Sequence, residues 1–462
     1  MNKNLILSAF SMTVIVSCTN APLSDAHQAT FQGSEVVLNS KAHLDQWWRE
    51  FENDELSNYV ELVLEHNFDL AAAAENLKSV AETTEAIIGS HLPALNLSNS
   101  IGNSRTNMIG LPIPGAGDVI AIESDRAALD LNLSWELDFF GRIAAEEKSA
   151  LSSLRASEAN YVATQLAISG QAARTWTAYA FVMQQIQVIN AVIGDQQKML
   201  ASLVDASELN SRSDLVIAAK SELIGLKNML AQTKSQASEL ESALAILASN
   251  NSFLLLQSFE PPRLLSKSNI EVNAEAVSRR PDLIALEAEL RVAAHQADLA
   301  LAALYPSFSI GLAIGSSSDQ LGAFLDGDYR TWSFGANVLA PLFNGGSLRK
   351  QHDAAVSRFN AASYSFGQHC IRAFSEISTL INNERFLSEQ FENHQQIAEL
   401  NQLQIDTKLQ SMQYGNGRVQ DVLANQIASK QNRLNQLSTN LLLVQNRIDL
   451  HLAIGGSLIN NQ

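Results

Sequence analysis

The absence of proline limits what this chain can fold into more than any other feature. Its nine prolines stand at 22, 93, 112, 114, 261, 262, 281, 306 and 341, so residues 115–260 and 342–462 contain none. Proline would break a helix, and these two stretches are rich in Ala, Leu, Gln, Glu and Ser, mostly good helix formers. Leu223, Leu226, Leu230, Thr233, Ala237, Leu240, Leu244 and Leu247 follow a heptad spacing, as do Leu423, Ile427, Lys430, Leu434, Leu437, Leu441, Val444 and Ile448. Sustained heptads predict helices that pack as coiled coils. Each stretch is broken once, near Asn210-Ser211-Arg212-Ser213 and at Tyr414-Gly415-Asn416-Gly417. The predicted helices cover 141–205, 212–249, 346–412 and 418–454. A helix of ~65 residues is ~100 Å long, far beyond what a globular domain needs.

Between the helical stretches the period changes. Leu95, Leu97, Asn99 and Ile101 alternate with Asn96, Ser98 and Ser100. After a Gly/Pro-rich loop, Gly110 to Gly115, residues Leu129, Leu131, Leu133, Trp135 and Leu137 alternate with Asp130, Asn132, Ser134 and Glu136. Period two is a strand signal. The second half repeats it: Phe308, Ile310, Leu312 and Ile314 precede a loop with Gly322 and Gly327, then Trp332, Phe334, Ala336 and Val338 follow. Each half therefore predicts one hairpin with strands of about ten residues, near 95–102 and 128–138, then 307–315 and 331–340. Such strands are long enough to cross a bilayer when tilted. Four strands cannot close a barrel, and an open edge is not tolerated in hydrocarbon. If the strands span a membrane, several chains must share one barrel; otherwise they form a half-buried sheet in a soluble domain.

The two halves are copies of one plan. Asp69-Leu70 lies 24 residues before Pro93, and Asp282-Leu283 lies 24 residues before Pro306. Each half runs short helix, hairpin, very long helix, tight turn, returning helix. The resulting division is a leader at 1–17, an N-terminal segment at 18–66, a first repeat at 67–260, a connector at 261–278 and a second repeat at 279–462.

The formal net charge of −17 argues against a nucleic-acid binder. Two cysteines, Cys18 and Cys370, cannot make a disulfide framework. The first residues carry Lys3, an apolar run from Leu5 to Val16, then Ser17 and Cys18, which is the order of an export signal. Ile15-Val16-Ser17-Cys18 resembles a bacterial lipobox. That resemblance implies cleavage before Cys18, a covalent lipid on it as the only attached group, and, with Thr19 following, retention in the outer membrane. A plain secretory signal with a chance cysteine is the alternative. Cys370 is expected to be a buried apolar residue.

Along the chain, Trp47-Trp48 with Phe51, Asn67-Phe68-Asp69-Leu70, Trp135-Glu136-Leu137-Asp138-Phe139-Phe140-Gly141-Arg142, Arg279-Arg280-Pro281-Asp282-Leu283, Tyr305-Pro306, Pro341-Leu342-Phe343-Asn344-Gly345-Gly346 and Ala453-Ile454-Gly455-Gly456 follow in order. With the internal repeat, they resemble the TolC-family outer-membrane efflux proteins, in the lipoprotein branch that serves resistance-nodulation-division multidrug pumps. The resemblance covers nearly the whole chain after the leader. It implies a mostly α fold with a membrane β part: a homotrimer whose twelve strands, four per chain, form one barrel continuing into a periplasmic helical tube. It further implies an exit duct exporting drugs and other small toxic compounds, contact with outer-membrane lipid, and two partners: a periplasmic adaptor (membrane fusion) protein and an inner-membrane pump of that class. Positions 129, 131, 133, 135, 332, 334 and 338 (Leu129, Leu131, Leu133, Trp135, Trp332, Phe334, Val338) are then expected to face lipid.

The same resemblance places the gate at the periplasmic tips, near 206–216 and 413–422. Asp421 is carried over as the gate carboxylate, with Ala424 where the family often has a second one. Tyr414 and Arg418 fall where the family ties its closed tip, and Asp214 matches Asp421 in the repeat at an offset of 207. The plainer reading is that both aspartates cap helices.

The sequence holds no G-x-S-x-G, H-E-x-x-H, Walker or dinucleotide pattern, and its nine histidines do not pair at ligand spacing, so neither an enzyme nor a metal site is expected. Arg279-Arg280 is expected to make a helix-start contact, and Trp47-Trp48 to anchor the N-terminal segment by packing. The rival readings are a type I protein-secretion channel of the same fold, which the lipobox disfavours, and a periplasmic coiled-coil adaptor or structural lipoprotein. Adaptors carry one helical hairpin per chain, not two halves each with a strand pair.

Overall fold

The computed structural model describes residues 46–109, 119–207, 213–249, 260–262, 277–319 and 327–456. The leader, Cys18, the loop at 110–115, the centre of the first tip at 208–212 and most of the connector lie outside the described residues.

A short 3-10 helix, Trp47–Phe51, leads into α1 (Asp54–His66) and α2 (Phe68–Ser90). Asn53 and Asn67 cap these helices, their side-chain oxygens accepting from the N–H of Leu56 and of Leu70 at 2.8 and 3.0 Å. The hairpin β1 (Ala94–Ile109) and β2 (Val119–Leu137) follows. Next come α3 (Arg142–Ser207), α4 (Ser213–Leu247), α5 (Pro281–Ala302), β3 (Ser307–Ser318), β4 (Arg330–Leu339), α6 (Ser347–Gln413) and α7 (Val419–Ala453). Pro281 opens α5, where a missing N–H costs nothing. The two long helices have 66 and 67 residues, so each is ~100 Å long. No helix among the described residues is long and apolar enough to cross a membrane.

The helices form one layer whose neighbours change along its length. Beside the strands the order is α2, α3, α5, α6; toward the tips it is α4, α3, α7, α6. The long helices α3 and α6 run through both zones. The shorter ones meet end to end in two matching joints. Asn67 Nδ2 donates to the carbonyl of Leu247 at 2.9 Å where α4 reaches α2. Arg280 Nη1 donates to the carbonyl of Ala453 at 3.0 Å where α7 reaches α5. The capping position of each upper helix thus takes up an orphan carbonyl of the lower one.

The core lies at this level. Trp47, Trp48 and Phe51 are buried among α3 and α7, so the expected packing role of Trp47-Trp48 is what the structure shows. Trp47 Nε1 donates to Ser169 Oγ of α3 at 3.2 Å, and its ring stacks on His451 of α7 at 5.2 Å between centroids. Cys370 is half-buried and packs against the cluster of Val277, Leu283, Ile377 and Leu450.

The two flanks of the layer are different. Leu215, Ile217, Ile224 and Ile246 on α4, and Tyr364, Ile371, Phe386, Leu400 and Leu403 on α6, are exposed apolar residues.

The four strands make one antiparallel sheet in the order β1-β2-β3-β4. The strands of the first hairpin have 16 and 19 residues, longer than the ten or so that alternation predicts. Beyond Ile101 the apolar face turns polar, which ends the sequence signal, but pairing continues. Asn103 donates to Asp125, and Arg105 pairs with Glu123 at 3.2 Å across the ladder.

Candidate channel wall and tip

Register decides which side chains share a face, because residues directly opposite in a ladder point the same way. One row runs Leu95, Leu133, Leu312, Phe334; the next runs Leu97, Leu131, Ile314, Trp332. Below them lie Trp135, Ile310, Ala336 and then Leu137, Phe308, Val338, while Leu129 stands above with Ser316 and Arg330. The seven residues singled out from alternation therefore sit on one face. Trp332 is 78% and Phe334 67% exposed, so this face presents a large apolar surface that the described residues leave mostly uncovered.

The other face is polar or small. Its rows are Asn96, Asn132, Ala313, Ser333 and Ser98, Asp130, Gly315, Thr331. Gly315 is required here, because a Cβ would come within 2.3 Å of the Leu129 backbone carbonyl oxygen. Ten residue steps from Leu137 to Ala127 rise ~33 Å, or ~25 Å vertically at a tilt of ~40°, the height of a membrane barrel's apolar band.

The turn from sheet to tube is built by the sequence Trp135 to Arg142. Arg142 sends Nε and Nη2 to the two oxygens of Glu136, both at 2.9 Å, and Nη1 to Glu146 at 3.1 Å. Asp138 accepts the Ala144 N–H at 2.8 Å, and Gly141 takes φ +75°, so the chain leaves the strand and enters α3 within four residues. Phe140 stacks on Tyr305 at 4.9 Å, joining this corner to its counterpart in the second repeat.

The second tip is a tight αL turn. Gly415 at φ +77° lets its own N–H reach the Met412 carbonyl and the Asn416 N–H reach that of Ser411, both at 3.0 Å. A Cβ on Gly417 would come within 2.7 Å of the Met412 nitrogen. Arg418 occupies the N-cap position of α7 without a side-chain cap bond, and Asp421 is the third residue of the helix. Asp421 is thus not the cap. Its carboxylate is exposed and accepts no hydrogen bond among the described residues, so the capping reading does not explain it. Tyr414 ends α6 and is 74% exposed. Asp214 is the second residue of α4 and lies on the opposite flank of α3 from α7. Both returning helices are braced on α3: Gln196 Nε2 donates to the Ala219 carbonyl of α4 at 3.2 Å, and Lys430 of α7 pairs with Asp195.

Sequence reasoning passed over the polar core of α7. His451 is buried between Trp47 and Phe51, its Nδ1 bonded to the Gly456 carbonyl at 3.0 Å and its Nε2 3.6 Å from Glu50. Burial pushes its pKa down to about 4. Arg447 pairs with Glu384 of α6, and Asp449 with Arg174 of α3. A polar residue at a heptad core position was the available signal. Arg280 joins Asp282, Glu376 and the Ala453 carbonyl, confirming a helix-start contact. Burial works against the Asp282 carboxylate, but the hydrogen bonds and charge of Arg280 outweigh it and hold the group below its ordinary range. No group of metal-ligating side chains occurs among the described residues.

Known proteins share this arrangement throughout. The chain is 26% identical over 469 aligned positions to the pyoverdine export outer membrane protein OpmQ of Pseudomonas aeruginosa, covering 98% of this chain and 97% of that one. It is 22% identical to the probable outer membrane lipoprotein SilC of Salmonella typhimurium, covering 99% and 100%. The solved outer-membrane channel OprN superposes with a TM-score of 0.81 at 20% identity, over 90% of this chain and 93% of that one. The family model described as outer membrane efflux protein matches residues 59–202 and 272–456, so the chain belongs to that family and is a protein of the outer membrane.

Proposed function

We propose that three copies of this chain form one channel, the exit duct of a tripartite efflux system that carries small compounds across the periplasm and the outer membrane. One observation carries the reading: a four-stranded sheet with an apolar outer face, a polar inner face and two open edges, β1 and β4. In lipid such edges must be paired, and further copies supply the missing strands. The exposed flanks on α4 and α6 are then covered by the same neighbours. The seven apolar positions from Leu129 to Val338 face lipid. Cys18 carries the lipid that anchors each chain, in keeping with the lipoprotein named among its relatives.

At the far end, Asp421 with Tyr414 and Arg418 lines the opening, and Asp214 stands on the neighbouring helix pair. A ring of carboxylates there favours cations at the constriction. The tip meets a periplasmic adaptor, and an inner-membrane pump of the resistance-nodulation-division type drives export. Pyoverdine, the cargo named for one relative, fits the class of small compounds. No step of covalent chemistry is assigned to the chain.

Single-particle imaging of the detergent-extracted protein tests this. A threefold particle of three chains, with a barrel at one end of a tube longer than ~100 Å, is expected. A monomer, or a rod without a barrel, would overturn it.

A further inference from the structure

The open edges restrict how they can meet. Resting on the three-chain reading above, we infer that β4 of one protomer pairs antiparallel with β1 of the next in a single register, with Phe334 opposite Ile101 and Val338 opposite Leu97.

The argument begins with closure. A barrel returns to its first strand displaced by a fixed shear. Threefold symmetry divides that shear into three equal shifts. Each shift must be even, or the apolar face of one protomer would run into the polar face of the next. With ~3.3 Å per residue and ~4.8 Å between strands, shifts of two, four, six and eight residues tilt twelve strands by about 19°, 35°, 46° and 54°. Membrane barrels tilt by ~35–45°, which leaves four and six.

The ends of the strands choose between them. The row through Ala94, the first residue of β1, crosses Ser134, Gly311 and Gly335. The helix-side ends of the other strands fall below this row: Leu137 by three residues, Ser307 by four and Leu339 by four. A straight line through the four ends drops by about 1.3 residues per strand and reaches about six at the fifth strand, the neighbour's β1.

A shift of six also suits the side chains. Phe334 and Val338 meet Ile101 and Leu97, apolar on apolar. Asn99 is the one polar residue on the outer face of β1 within the band, and it meets Ala336, the smallest on the same face of β4. A shift of four would set Asn99 against Phe334 instead. Trp332 meets Asn103 where the band ends, which suits an indole at the membrane boundary. Arg330 falls opposite Arg105 above the band, where Glu123 already neutralises Arg105 at 3.2 Å.

Cysteine pairs test the register in the full-length protein with Cys370→Ser. Opposite residues bring Cβ atoms to ~4.5–5.5 Å, whereas diagonal ones stay near 7–8 Å, so only the opposite pair suits a disulfide. Oxidation with copper–phenanthroline in outer-membrane fractions should link I101C/F334C into covalent trimers. The pairs N99C/F334C and N103C/F334C should link at least ~10-fold more slowly. Faster linkage of N99C/F334C would overturn the register in favour of a shift of four, and faster linkage of N103C/F334C would overturn it in favour of eight. No linkage in any pair, from particles that still weigh three chains, would also reject the register. The mass of the unoxidised variants separates these results from failure of the shared barrel itself, in which case the particle would not contain three chains.

Discussion

Helices α3 and α6 occupy the same place in the two repeats and have nearly the same length, yet they live in different surroundings. Helix α3 has neighbours on both sides along its whole course, and Trp176 and Phe181 on it are fully buried. Among the described residues helix α6 packs mainly against α5 and α7, and Tyr364, Phe386, Leu400 and Leu403 are exposed. Helix α3 has its own repeat's α2 and α4 on one side and the second repeat's α5 and α7 on the other. Helix α6 has its own repeat's α5 and α7, and no described element stands on its other side as α5 and α7 stand beside α3. The duplication therefore contains its own description of what is missing: α6 lacks on its open side what α3 has on both. A copy of the chain, presenting its own α2 and α4, would give α6 the setting of α3.

Truncation of large side chains should separate the two helices most strongly. Trp176→Ala is expected to cost ~3–5 kcal/mol by urea unfolding, because the surrounding helices cannot collapse onto the cavity. Phe386→Ala should cost the isolated protomer under ~1 kcal/mol while lowering the yield of assembled particles in size-exclusion chromatography. Similar unfolding costs and an unchanged yield would show that α6 is not waiting for a neighbour.

Acid should loosen the α3 side in particular. His451 has a folded pKa of about 4 against 6.5 unfolded, so the unfolded chain binds its proton first. Its contribution is complete above pH 6.5, declines as pH falls and is gone below about 4, a loss on the order of 3 kcal/mol. Urea midpoints at pH 7 and pH 4.5 should therefore differ less in His451→Gln than in the parent. An equal difference would remove His451 as the source.

These residues also show what the sequence could and could not disclose. The helices were legible because proline and heptad spacing are local. That the apolar residues share one face of the sheet was legible because period two follows from the pleat alone, as Leu131 and Trp332 illustrate. The length of the first hairpin was not, since Arg105 and Glu123 extend the ladder by pairing with each other, without apolar alternation. His451 was equally hidden: its partners, Trp47 and Glu50, lie about four hundred positions away in the chain. At the tip, Asp421 could be picked out by resemblance, but only its place as third residue of α7 separates it from a cap.

Smaller effects compare the two joints. Arg280→Ala should cost ~2 kcal/mol, since it strips Asp282 and Glu376 of a buried partner as well as freeing the Ala453 carbonyl. Asn67→Ala should cost ~1 kcal/mol through the lost cap and the Leu247 contact. Hydrogen exchange at the ends of α7 and α4 would report each joint separately, and an inverted order would mean that the repeats divide the load differently. The smallest change in stability belongs to Asp421→Asn, within ~0.5 kcal/mol for an exposed site. In planar bilayers it should still raise leak conductance and weaken block by multivalent cations; unchanged currents would remove it from the opening.

The two end-to-end joints have a mechanical meaning. Across the layer, unbroken rods alternate with rods cut at one common level. Across that level, α4 passes to α2 and α7 to α5 through side-chain hydrogen bonds, whereas α3 and α6 cross it as continuous backbone. Twist applied at the tips therefore travels upward along every second rod only. At the cut rods only side-chain hydrogen bonds need to give for one helix end to move against the next, without unwinding a single helical turn, whereas α3 and α6 hold the two zones together as unbroken helices.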